Sequence, residues 1–160
     1  MSADSPAVVI TCSTRVDAGV YSDRSGPIIV DALRDWGYAV GDVVVVADGP
    51  EVETALRAAI SSGAVLVVTT GGTGVTPTDR TPEATQRVVD RMIPGIAEAI
   101  RAAGVQAGIP AAMLSRGVCG VAGRALVVNL PGSTGGVSDG LAVLKPVVAH
   151  ALSQIQGGDH

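Results

Sequence analysis

Apolar residues along this chain fall into short unbroken runs, separated by longer stretches in which they recur at helical spacing. The runs are Ala7 to Thr11, Val43 to Ala47, Ala64 to Val68 and Leu126 to Leu130. Runs of this length, rich in β-branched residues and without polar alternation, predict strands buried on both faces of a sheet. Ile29, Ala32, Leu33 and Trp36 lie at i, i+3, i+4 and i+7 and predict one helix face. Ser25 is placed to cap that helix, Pro27 falls in its first turn, and Gly37 ends it. Val52, Ala55, Leu56, Ala59 and Ile60 form a second stripe, closed by Gly63. Thr81 to Arg91 predicts a helix with Thr81 as cap, and Pro94 separates it from another at Ile96 to Ala103. Ala111 to Ser115 predicts a short helix. Gly117 to Val121 and Arg124 to Leu130, split by Ala122-Gly123, predict a hairpin. Val137 to Ile155 predicts a last helix, kinked near Pro146.

Strand and helix alternate with no repeat and no low-complexity linker. The expectation is a single three-layer α/β domain over residues 1–156. It has a mostly parallel sheet, helices on both faces and a late hairpin adding an antiparallel edge. Residues 157–160 are expected to form a disordered tail.

Composition agrees with this layering. The chain has 160 residues, enough for one substantial core. It has no Phe and only 2% aromatics, so the core must be Val, Ile, Leu and Ala. Basic residues are scattered and the net charge is −4, which argues against nucleic acid as a partner. No apolar run reaches membrane-spanning length, so no membrane partner is expected. Cys12 and Cys119 are isolated, with no metal or redox pairing motif, and read as reduced thiols of a cytoplasmic protein.

The stretch with most chemistry follows the third run: Thr69-Thr70-Gly71-Gly72-Thr73-Gly74-Val75-Thr76-Pro77-Thr78-Asp79-Arg80-Thr81-Pro82-Glu83. Glycines let a backbone approach an anion and aim its N–H groups at it. Asp79 is a hard oxygen ligand suited to Mg²⁺. The Lys-Ser/Thr ending of a P-loop is missing, as is the third glycine of a dinucleotide fingerprint. In an open parallel sheet, ligands bind beyond the carboxyl ends of the strands. The segments leaving strand ends are Ser13 to Ser25, Asp48-Gly49, Gly71 to Arg80 and Pro131 to Gly136, and all are polar or glycine-rich. Asp48 and Asp79 are placed to share a metal, with Ser13, Thr14, Thr73, Ser115 and Ser133 as hydrogen-bond donors.

Taken together, these residues resemble a known family. Thr70-Gly71-Gly72-Thr73-Gly74, Thr76-Pro77-Thr78-Asp79 and Thr81-Pro82-Glu83-Ala84-Thr85 are similar to the TTGGTG…TPRDVTPEAT signature of MogA/MoaB proteins of molybdenum cofactor biosynthesis. The gephyrin G domain belongs with them. Asn129-Leu130-Pro131-Gly132-Ser133, Asp23-Arg24-Ser25-Gly26-Pro27 and Ser115-Arg116 resemble further family segments, in order along nearly the whole chain. The resemblance implies a homotrimer or hexamer that binds molybdopterin. In MogA-type members the molybdopterin phosphate attacks the α-phosphorus of Mg-ATP, giving adenylylated molybdopterin and pyrophosphate. It implies Asp48 and Asp79 as catalytic and Mg²⁺-binding residues. It implies Thr70, Gly71, Gly72, Thr73, Gly74, Ser13, Ser115, Arg116, Asn129, Pro131, Gly132 and Ser133 as substrate- or nucleotide-binding residues.

Two positions depart from the pattern: Thr78 stands where MogA proteins often carry Arg, and Ala47-Asp48-Gly49-Pro50 replaces a more acidic segment. These departures keep a second expectation open, a MoaB-type paralogue that binds molybdopterin without transferring AMP. A third is a nucleotide-binding regulator unrelated to the family. Several residues also have simple structural alternatives. Asp48 precedes Pro50 as an N-cap should, Ser133 can cap the last helix, and Arg116 can be a surface charge.

Overall fold

The computed structural model describes residues 5–159. The first strand, β1 (Pro6–Cys12), leads through a single helical turn, α1 (Thr14–Asp17), to α2 (Ser25–Asp35). Two short strands, β2 (Ala39–Val40) and β3 (Val44–Val46), precede α3 (Pro50–Ser61) and β4 (Leu66–Thr70). Then come α4 (Thr81–Val88), β5 (Arg91–Met92), α5 (Pro94–Gln106) and a 3₁₀ turn, Pro110–Leu114. The hairpin strands β6 (Cys119–Ala122) and β7 (Ala125–Leu130) lead to α6 (Thr134–Ile155).

The sheet runs β2-β1-β4-β7-β6-β5, with β3 also pairing β1. Strands β2, β3, β1, β4 and β7 pair in parallel, whereas β6 and β5 add in antiparallel sense. Every residue of β4 and β7 is buried, as their unbroken apolar runs require. Alternate side chains feed two cores. Leu66, Val68, Leu126, Val128 and Leu130 pack with Ile29 and Leu33 of α2, Ile100 of α5 and Leu144 and Leu152 of α6. Val67, Val127 and Ile10 pack on the other face with Val52 and Leu56 of α3 and Ala84 of α4. Trp36 leans half-buried on the rim of the first core. Aliphatic burial supplies the driving force, about 1.5–3 kcal/mol for each fully buried large side chain.

The structure departs from the sequence expectations at several ends. β3 is an edge strand and Val44 is exposed, so this run is not buried on both faces. The fourth helix stops at Val88, because Arg91 and Met92 are drawn into the sheet beside Val121 and Gly120. The hairpin forms, but its second strand sits inside the sheet beside β4, and the outermost strand is β5. The last helix starts at Thr134 and continues through Pro146. At its end, Gly157 (φ +91°) and Gly158 donate to Gln154 O and Ser153 O, while His160 of the expected tail lies outside the described residues. Ser25 does not cap α2. Its hydroxyl donates to Gly132 O at 2.7 Å, and Asp23 Oδ1 accepts from Gly26 N instead. Thr81 begins α4 without capping it.

One buried polar bolt ties two central strands to the helix packed on them. Asn129 in β7 donates from Nδ2 to Thr69 Oγ1 of β4 and to Thr85 Oγ1 of α4, both at 3.0 Å. Its Oδ1 accepts from Val118 N at 3.1 Å. Replacing it by Ala strands these buried partners. Asn129→Ala is expected to cost about 3 kcal/mol. That corresponds to a fall in melting temperature of about 6–12 °C for a domain of this size, read by calorimetry.

Candidate functional site

The parallel strands end together. Thr11 lies beside Thr70, Thr70 beside Leu130, and Cys12 beside Val46. The loops leaving those ends surround an open cleft of about 780 Å³, lined among others by Cys12, Ser13, Asp48, Gly71, Gly72, Asp79 and Gly132. Its back wall is built from glycine. A Cβ on Gly71 (φ +91°) would lie 2.5 Å from the Cys12 carbonyl oxygen, and one on Gly132 would lie 3.3 Å from Gly71 Cα. A Cβ on Gly72 (φ +67°) would run into the Thr81 hydroxyl. Positive φ and close approach together explain why glycine is needed at 71 and 72. Gly71 N donates to Leu130 O, and Thr70 Oγ1 donates to Pro131 O at 2.6 Å, so the two glycine loops are laced together.

Asp48 and Asp79 line the same cleft from opposite loops. Asp48 is not a helix cap, because Gly49 occupies that position. Its Oδ2 accepts from Thr14 N (3.4 Å) and Thr14 Oγ1 (3.3 Å), while its own N–H donates back to Thr14 Oγ1. Its Oδ1 is buried without a partner among the described residues, as is Thr81 Oγ1. Burial raises the Asp48 pKa above the usual aspartate range. The Thr14 bonds oppose that rise, and the negative charge of Asp79 adds to it. Asp79 Oδ2 accepts from Thr76 N at 3.1 Å. Burial pushes the nearby Cys12 thiol up to about 12, so it is neutral and no nucleophile at ordinary pH.

An orphaned carboxylate oxygen on a cleft that a second carboxylate also lines is a partial cation site. Among the described residues no cluster of three metal-ligating side chains exists. That donor set does not suit a closed structural metal. It fits Mg²⁺, which is held by one or two carboxylates and takes its other ligands from water and substrate phosphates.

The remaining candidate residues divide. Ser13 Oγ accepts from Val16 N and caps α1 at the cleft edge. Ser133 Oγ accepts from Gly136 N and caps α6. Thr70 and Asn129 are buried and bonded inward; Thr70 lies in the cleft wall, and Asn129 lines neither cavity. Arg116 is turned away from the cleft. Its guanidinium bonds to Gly74 O, Asp79 O and the Glu83 carboxylate. Arg24 is the one basic side chain lining the aspartate cleft among the described residues. Thr73, Gly74, Ser115, Pro131 and Ser133 line a second cavity of about 670 Å³ behind the glycine wall, floored by Ile109, Ala111, Ala112 and Leu114. The two cavities share Gly71, Gly72, Asp79 and Gly132.

Sequence reasoning undervalued Thr14, named only as one donor among several, and took Thr81 for a helix cap. Thr14 lies 34 residues from Asp48, and no local spacing announces their pairing. Thr81 looked like a cap because Pro82 follows it.

A family model described as a probable molybdopterin binding domain matches residues 8–150. The molybdenum cofactor biosynthesis bifunctional protein of Synechococcus elongatus is 43% identical over 155 residues, which is 96% of this chain and 48% of that protein. The chain thus spans about half the length of that relative. The molybdopterin adenylyltransferase of Helicobacter pylori strain 26695 is 32% identical, over 93% of this chain and 86% of that protein. Among solved structures, the molybdopterin biosynthesis Mog protein from Mycobacterium ulcerans superposes with a TM-score of 0.90 at 54% identity, covering 94% of this chain and 98% of that one. Sequence motifs, sheet order and these matches agree, and the chain belongs to the molybdopterin-binding domain family of molybdenum cofactor biosynthesis, in its MogA/MoaB group.

Proposed function

We propose that this protein is a molybdopterin adenylyltransferase, moving AMP from Mg-ATP to the terminal phosphate of molybdopterin. The observation that carries this is the pair of cavities on a common wall. A two-substrate transfer needs two binding spaces that meet at the reacting atoms. Here a polar cleft with two aspartates and a more apolar pocket meet across Gly71, Gly72 and Gly132. The apolar pocket suits a flat heterocycle, and the polar cleft suits nucleotide phosphates.

In this scheme a pterin phosphate oxygen forms a bond to the α-phosphorus of ATP. The bond from that phosphorus to the bridging oxygen breaks, and pyrophosphate leaves with the electron pair. No protein nucleophile is required, and the neutral Cys12 offers none. The glycine wall admits phosphate oxygens close to the backbone. The N–H groups of Gly72, Thr73 and Gly74, without partners among the described residues, are free to receive them. Asp48 and Asp79 would hold Mg²⁺, which supplies charge neutralisation between two anionic reactants. Thr14 holds Asp48 through Oδ2, which leaves Oδ1 without a protein partner. Arg24 adds the cleft's cationic side chain.

That single cation also favours the alternative, a MoaB-type paralogue that binds molybdopterin as a non-catalytic oligomeric scaffold. Thr78 supplies no charge, and Arg116 is already engaged. In either case the protein is read as a cytoplasmic homotrimer or hexamer. Exposed Val105, Ile109, Met113 and Leu114 give apolar surface for self-association. No helix among the described residues is long and apolar enough to cross a membrane.

Incubation with molybdopterin and Mg-ATP should give adenylylated pterin by mass spectrometry, with equimolar pyrophosphate. Pterin binding without AMP transfer would establish the scaffold instead. Asp79→Asn and Asp48→Asn should each lower turnover by about 100-fold or more, the scale seen when one transition-state charge partner is lost. Pterin affinity, measured by fluorescence titration, should stay nearly unchanged. Full turnover in Asp79→Asn would remove that residue from the metal site. Sedimentation velocity should give three or six copies, and a monomer would contradict the oligomer.

A further inference from the structure

Arg116 makes more anchoring contacts than any other side chain near the cleft, and none of them faces a ligand. Its backbone N–H donates to Thr73 O at 2.7 Å. Its Nε donates to Gly74 O at 2.8 Å and its Nη2 to Asp79 O at 2.8 Å. Its Nη1 meets both oxygens of Glu83, at 3.0 and 2.8 Å. These acceptors bracket the segment that carries Asp79, from the glycine wall to the first turn of α4. Between them, Val75, Thr76, Pro77 and Thr78 are exposed and bonded mainly to each other and to Asp79.

A guanidinium is planar and its donors are fixed in a fork. Two donors on main-chain carbonyls five residues apart therefore set the span of the loop, and the third edge locks that span to α4 through Glu83. The same bonds commit the group chemically. Each of its three nitrogens has a protein acceptor, with one Nη1 hydrogen shared between the two Glu83 oxygens.

We infer that Arg116 is a positioning residue for Asp79, a brace that holds the Gly74–Asp79 loop so that its carboxylate faces Asp48, with Glu83 as the brace's counter-anchor. This rests on the proposal that Asp79 binds a divalent cation with the nucleotide. Hydrogen bonding and then charge attraction from Arg116 hold the Glu83 carboxyl below the usual glutamate range. A depressed acid contributes its stabilisation above its unfolded pKa and loses it only as pH falls through the depressed value. The brace is therefore intact at neutral pH.

The test is calorimetric titration of Mn²⁺·ATP, and of ATP in EDTA, into the wild-type protein, Arg116→Gln, Arg116→Lys and Glu83→Gln, with a melting curve for each. A brace predicts that Arg116→Gln and Arg116→Lys weaken Mn²⁺·ATP by about 10-fold, as loss of an outer partner of a metal ligand does. Glu83→Gln should shift the same way, and metal-free ATP should bind all four alike. A direct phosphate ligand predicts otherwise. Arg116→Gln would then lose metal-free ATP as well, Arg116→Lys would bind normally, and Glu83→Gln would bind as tightly or tighter. Any of those results overturns the brace. If the Arg116 variants do not fold, Glu83→Gln decides alone. If the metal gives the wild type no advantage over free ATP, the cation reading of Asp79 has failed. The brace is then judged by hydrogen exchange of residues 74–80, where faster exchange in Glu83→Gln supports it and unchanged exchange overturns it.

Discussion

The structure depends on how closely three strand ends approach one another. Gly71 sits against the Cys12 carbonyl on one side and the Gly132 backbone on the other, with no room for a Cβ. That contact lets β1, β4 and β7 deliver their loops to one rim. It makes the wall between the two cavities one backbone thick. A side chain at Gly71 would push the strand ends apart and separate the two binding spaces, whatever it did to folding. Thr70 and Ser25 reinforce the contact by donating to the carbonyls of Pro131 and Gly132.

Around that wall, electrostatics run against ordinary folding preference. Asp48 keeps an unpartnered oxygen in a buried place and shares its cleft with a second acid, Asp79. Buried polar atoms without partners cost stability and are rare. Asp48 Oδ1 is such an atom, while the Arg116 guanidinium is bonded to Gly74 O, Asp79 O and the Glu83 carboxylate. In the proposed reaction, anions would be met by backbone amides and by Arg24 at the rim.

Much of this was legible in the sequence because it is local. Unbroken aliphatic runs announced β1, β4 and β7, and glycine-rich segments after them announced the rim. The i, i+3, i+4 stripes announced α2 and α3. Long-range choices were not legible. Nothing local distinguishes a buried Val44 run from an edge strand, or shows that Arg91-Met92 leaves a helix pattern for a sheet register. The glycines at 71 and 72 signalled a close approach without saying what approached. Asn129 and Arg116 looked like ligands because polar residues in a recurring motif usually are. Only tertiary contacts show that Asn129 joins β4 and α4 and that Arg116 bonds to Gly74, Asp79 and Glu83. Pairing of Thr14 with Asp48 across 34 residues has no sequence signature at all.

The aliphatic core has an optical consequence. The chain has one Trp, two Tyr and no Phe. Trp36 rests on the α2 rim of the first core, whereas Tyr21 lines the cleft beside Asp23 and Arg24, with Arg15 5.5 Å from its ring centre. The second tyrosine, Tyr38, is buried in that same core. Indole emission therefore follows the packing of the domain, while of the two phenols Tyr21 is the one placed to respond to occupancy of the cleft. A chromophoric ligand would dominate the near-ultraviolet absorbance of so pale a protein, so its binding can be followed directly with no label attached.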